Sequence, residues 1–247
     1  MHSEEEVNRY SFKLNNKQEA LIFDELLDKY LRVSTEKHHI SLGRIWDTLE
    51  SNPKGGQLFT AFLDLRINLV LLEMDISTIC GILNREPEGI TLPDSLALSD
   101  VKLFFNSMEL HRANNAFVLR CRAIWDKILG VIVLIVAPEN YEKFQKGDSR
   151  QKMFQGIAKL TRKISLEFCE HILQVITDFD DQYRTPEAHG MGKIRKWTFA
   201  AVRGDDSPQV GIIDAWNELN HVVLCLPRLL VDPGLAMLPD LGLEQIK

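Results

Sequence analysis

Tyr183 to Val202, reading YRTPEAHGMGKIRKWTFAAV, is the stretch where a long regular pattern stops and reactive side chains gather. Arg184 and His189 stand in it on either side of Thr185-Pro186. Pro186 fixes its own φ and favours an extended Thr185, so the chain should turn sharply between the two. With Thr185 as an N-cap, His189 falls one turn into a new helix, where the positive end of the helix favours the neutral imidazole that a general base needs. Arg184 offers a rigid fork of donors that matches phosphate oxygens. Lys193, Arg195, Lys196 and Arg203 follow, the most basic local run in a chain of net charge -6. Arg184 and His189 are therefore the candidate catalytic pair, and Lys193, Arg195 and Lys196, with Glu187, the candidate substrate-binding set. The same residues also have a purely structural reading. A cation such as Arg184 offsets the dipole at a helix C-terminus, Glu187 can pair with Arg184 or Lys193, and His189 can satisfy a buried carbonyl.

The elements that must position this corner read as helices. From Gln57 to Leu83, Leu58, Phe62, Leu69, Leu72, Ile76 and Ile79 recur at steps of three and four or their sums, opposite a polar stripe. From Ser99, a reasonable N-cap, a second long helix carries Leu103, Leu110, Phe117, Cys121, Ile124, Ile128 and Ile132 on one face. Arg122 and Asp126 are four apart on it and can pair as supporting polar groups. A third run starts from Asp148 or Ser149 and carries Met153, Ile157, Leu160, Ile164, Phe168, Ile172, Val175 and Phe179 up to Tyr183, with His171 bordering it as a packed histidine. Ser207-Pro208 then opens a final helix bearing Ile212, Trp216, Leu219 and Val223.

Strand-like alternation is not evident, and no internal repeat is visible. The expectation is an all-α helical bundle with three long helices, about 57–83, 99–136 and 149–183, and shorter accessory ones. None of these helices can bury its apolar face alone, which favours one domain over 1–247. Residues 1–55 read as an N-terminal helical extension, capped at Ser3 and Glu6, packed on a 57–231 bundle. After Pro227 prolines and glycines accumulate, and 232–247 reads as an irregular tail.

Composition narrows the function classes. Apolar residues make up 45% and charged residues 26%, ordinary for a globular protein. The acidic balance argues against a general nucleic-acid coat protein, which relies on excess Lys and Arg. The four cysteines lie far apart in apolar segments without metal-ligand spacing, so they read as reduced core residues of a cytoplasmic protein, with no metal and no cofactor. The most apolar run, Ile128 to Ala137, is far shorter than the roughly 20 residues a membrane-spanning helix needs, and no membrane role is expected.

An Arg, four residues and a His at the end of a long helix in an all-α bundle resembles the Arg-x(4 to 6)-His motif of the HEPN superfamily. The segment LHRANNAFVLRCRAIWDKILG is similar to the bundle helix that packs against the motif helix in that superfamily, and YRTPEAHGMGKIRKWTF with the later WNELNH resembles an uncharacterised HEPN-like group. The resemblance implies a metal-independent endoribonuclease acting as a toxin or defence factor. Arg184 would stabilise the phosphate and His189 transfer the proton. It also implies RNA or a nucleotide as ligand, a homodimer and a cognate antitoxin protein. The alternative is a catalytically silent HEPN-like bundle that binds RNA, a nucleotide or a protein partner. This sequence carries Thr185 where active members often have Asn, Asp or His after the Arg.

Overall fold

The computed structural model describes residues 14–31, 40–82, 98–185 and 209–239. Among them every regular element is helical, and the fold is an all-α bundle. In chain order the helices are α1 (Lys17–Leu31), α2 (Leu42–Ser51), α3 (Gly55–Ile82), α4 (Leu98–Val136), α5 (Tyr141–Lys146), α6 (Arg150–Thr161), α7 (Leu166–Phe179) and α8 (Gln209–Val231). Buried apolar side chains from all eight join one hydrophobic cluster. No described helix is long and apolar enough to cross a membrane.

The first two helices form a hairpin closed by local chemistry. The Asn16 side chain accepts the Glu19 N–H at 2.9 Å while the Glu19 carboxylate accepts the Asn15 N–H at 2.7 Å, so orphan donors at the start of α1 are satisfied reciprocally. Ser41 caps α2 by accepting the Arg44 N–H. Asp24 of α1, almost fully buried, accepts the Ser41 hydroxyl at 2.9 Å and the Gly43 N–H at 3.1 Å. Gly43 lets the two helices approach closely, because a Cβ would lie 2.4 Å from the Leu21 side chain and force it to move. The hairpin is tied to α3 by Arg66, itself 1% exposed, whose Nε lies 3.6 Å from Asp24. At the following corner a Cβ on Gly55 would meet the Leu49 carbonyl oxygen at 2.1 Å, so only glycine can start α3.

Helices α3 and α4 are the spine. Arg120 donates to Asp75 at 2.8 Å and Lys127 pairs with Asp64, so as numbers rise on one helix they fall on the other, and the two run antiparallel. Leu58, Phe62, Leu65, Leu69 and Leu72 of α3 are fully buried, as are Ile124, Ile128, Leu129 and Ile132 of α4. Burial is unbroken from Ile128 to Ala137, where Pro138 follows the end of the helix. Of the four cysteines, Cys121, Cys169 and Cys225 are buried as expected, but Cys80 is exposed, because it falls on the outer face of the last turn of α3.

The expected third long helix over 149–183 is two helices. Ser149 is the N-cap that the sequence suggests, but α6 stops at Thr161, and Arg162 adopts a left-handed conformation with φ 52°. Ser165 then caps α7 by accepting the Phe168 N–H. The apolar spacing hides the break because Leu160 fits the stripe in sequence yet is 73% exposed, while Ile164 in the turn is 1% exposed. His171, read as a packed histidine, is exposed.

Helix α8 does not stop at Pro227. It runs through it to Val231, burying Leu226, Leu229 and Leu230. Beyond it Pro233–Met237 forms a 3-10 turn capped by Asp232, and the Ala236 carbonyl accepts the Ser165 N–H at 2.7 Å. The tail thus clips the break between α6 and α7. The Ser3 to Glu6 cap and the Ser207-Pro208 helix start lie outside the described residues.

Candidate functional site

The far end of α7 passes into a wider, π-helical turn over Asp180–Arg184, in which the Thr185 N–H donates to the Asp180 carbonyl. Single π turns inside α-helices are frequent at functional sites, because the extra residue per turn re-aims the side chains that follow. Here the turn keeps Tyr183 inward, 6% exposed, with its ring centroid 5.0 Å from that of Phe179. It turns Arg184 outward, with its side chain half exposed.

Asp180 organises the polar groups. Its Oδ2 accepts the Arg122 Nε–H at 3.0 Å, and the same oxygen lies 3.6 Å from an Arg184 terminal nitrogen. Arg122 also approaches Asp126 at 2.7 Å, close enough for an ion pair although not aligned as a hydrogen bond. Two guanidinium groups and two carboxylates therefore form one chain, Asp126–Arg122–Asp180–Arg184. Burial of Arg122 favours loss of its proton, but the adjacent Asp126 and Asp180 carboxylates together outweigh that and hold it above its ordinary value. It is permanently charged and already committed to two partners, which suits a support rather than a ligand contact.

Beside this chain lies a cleft of about 350 Å³ between α7, the π turn and α8, lined by Trp125, Phe179, Tyr183, Asp178, Asp214 and Glu218 among others. Burial, then the charge of Asp214, raises the Tyr183 hydroxyl above the usual tyrosine range, so it is a neutral donor at ordinary pH. Cys121, one residue before Arg122, is fully buried and its thiol is pushed far up, chiefly by burial. It is packing, not a nucleophile. Among the described residues no group of His, Cys, Asp and Glu side chains has the arrangement of a metal site.

Of the residues singled out by sequence, the structure brings Arg122, Asp126 and Arg184 into one network. Glu187, His189, Lys193, Arg195 and Lys196 lie outside the described residues. Asp180, the group that joins the other three, was missed. Its signal is its place four residues before Arg184, the spacing already used to pair Arg122 with Asp126.

Comparisons give no family. No protein-family model, no curated protein and no solved structure matches the chain.

Proposed function

We propose that the chain is a HEPN-like, metal-independent endoribonuclease that works at the Arg184 to His189 corner. Arg184 stabilises charge on the scissile phosphate and His189 transfers a proton. The ribose 2′-hydroxyl attacks the adjacent phosphorus, the 5′-oxygen leaves, and a cyclic phosphate is formed. The observation that supports this reading most is the half-exposed Arg184 guanidinium, carried at the end of a π turn and backed by the Asp180–Arg122–Asp126 chain. The guanidinium reaches solvent while Asp180 stands 3.6 Å behind it, so its donors can still meet an anion. The same reading, through the resemblance, makes the protein a cytoplasmic toxin or defence factor that acts as a homodimer and is restrained by a cognate antitoxin.

A second reading has its own support. Asp178, Asp214 and Glu218 line the cleft beside the π turn, and carboxylates there oppose a phosphate. They favour a silent bundle that binds a protein partner without cleaving RNA. The two separate when mixed RNA is incubated in EDTA with wild type, Arg184→Ala and His189→Ala. Cleavage by wild type alone supports the nuclease. Intact RNA in all three, with RNA binding lost only in Arg184→Ala, leaves the silent RNA-binding form. RNA neither cut nor bound removes both RNA readings and leaves the protein-binding one.

A further inference from the structure

Asp180 is shared unequally between two guanidinium groups. Arg122 holds its Oδ2 at 3.0 Å in an aligned hydrogen bond, whereas Arg184 stands off at 3.6 Å from the same oxygen. The asymmetry has a physical cause. The Arg122 side chain is 11% exposed, so its attraction for the carboxylate is weakly screened, while Arg184 is 51% exposed and exchanges ion pairing for water at little loss. Asp126 lies 2.7 Å from the other arm of Arg122, and this ion pair favours Arg122 staying beside Asp180. Asp180 Oδ1 is buried and has no hydrogen-bond partner among the described residues, so it is Oδ2 that the two guanidinium groups share.

We propose that Arg122 is a positioning residue that draws the Asp180 carboxylate away from Arg184 and so keeps the Arg184 guanidinium available to a phosphodiester anion. Without Arg122, Arg184 is the cation left beside the carboxylate among the described residues, and the carboxylate closes on it. Arg184 would then be neutralised by its own helix. The inference rests on Arg184 being an anion contact, as proposed above, and names how that contact is kept open.

The test uses the charge-neutral pair Arg122→Met with Asp126→Asn, which removes the competitor without altering net charge. Binding of a 2′-O-methyl oligoribonucleotide, which cannot be cleaved by 2′-hydroxyl attack, is measured by fluorescence polarisation. In parallel the Arg184 Nε–H NMR signal, assigned by its loss in Arg184→Lys, reports whether the guanidinium is clamped. The double variant should bind about fivefold more weakly than wild type, the size expected when one partly exposed ion pair forms, and its Arg184 signal should shift and exchange more slowly with water. Adding Asp180→Asn should return binding at least to the wild-type level. Wild-type binding and an unmoved Arg184 signal in the folded double variant would overturn the inference. If the double variant does not fold, Arg122→Gln replaces it. Gln removes the charge while keeping a polar side chain, and an Arg184 signal unchanged there overturns the inference equally. Equal binding by wild type and Arg184→Ala would instead remove the phosphate reading, while the NMR arm still decides whether Arg122 holds Asp180 off Arg184.

Discussion

Arg122 sits between two carboxylates that would otherwise face each other across partly buried space. Replacing it with Ala leaves Asp126 and Asp180 without their shared cation, and about 2 kcal/mol of destabilisation is expected, below the range for a fully buried pair because both acids retain some solvent. Urea unfolding measures it, and a loss under about 0.5 kcal/mol, the usual scale of a surface change, would contradict the account. A buried cysteine makes a second residue-scale prediction. Burial, with some help from Glu170, pushes the Cys169 thiol from 9.0 up to about 11. The folded chain therefore keeps this proton where the unfolded chain has lost it. The contribution is whole below about pH 9 and disappears as the pH rises toward 11. Unfolding measured against pH should show a shallower alkaline loss in Cys169→Ala than in wild type, and parallel losses in the two would contradict a thiol held this way.

At the scale of elements, the break between α6 and α7 depends on Arg162 in the left-handed region and on Ser165 as a cap. Arg162→Gly should stabilise by about 0.5 to 1 kcal/mol by removing the side-chain clash of that conformation. Ser165→Ala should destabilise by about 1 kcal/mol through the lost cap. Opposite signs in thermal unfolding support the two-helix description, and a loss with Arg162→Gly contradicts it. These residues also show what a sequence reveals. Phe154, Ile157, Phe168 and Ile172 announce helices, because burial imposes a period that any reader of the chain can follow. The turn at Arg162 is invisible in that pattern, since a break whose length preserves the phase leaves the period intact. Pro227 misleads in the opposite direction: it marks an end by local rule, yet packing of Leu226, Leu229 and Leu230 carries α8 past it. In the candidate site the i,i+4 pair Arg122 and Asp126 was legible, being local to one helix. The link from Arg122 to Asp180 was not, because it joins α4 to the π turn and depends on how the helices pack.

The described helices are held by one apolar cluster crossed by buried polar ties. Among these Asp24 and Arg66 join the α1–α2 hairpin to the spine. Asp24→Ala leaves a buried guanidinium without that carboxylate and two donors, the Ser41 hydroxyl and the Gly43 N–H, without their acceptor, and about 3 kcal/mol should be lost. Hydrogen exchange should rise in α1 and α2 well before it rises in α4, and a uniform rise throughout would contradict a hairpin anchored at this point. The corner at Arg184 is tied to the spine through Arg122 and not through Asp24, so Asp24→Ala should leave its chemistry unchanged once the protein is folded. The most direct measurement is of that chemistry itself. A defined single-stranded RNA is incubated with the protein in EDTA, and the new 3′ ends are read by mass spectrometry. Wild type should leave 2′,3′-cyclic phosphate ends, and His189→Ala and Arg184→Ala none; RNA left intact by wild type, or cut equally by all three, would contradict catalysis at Arg184 and His189.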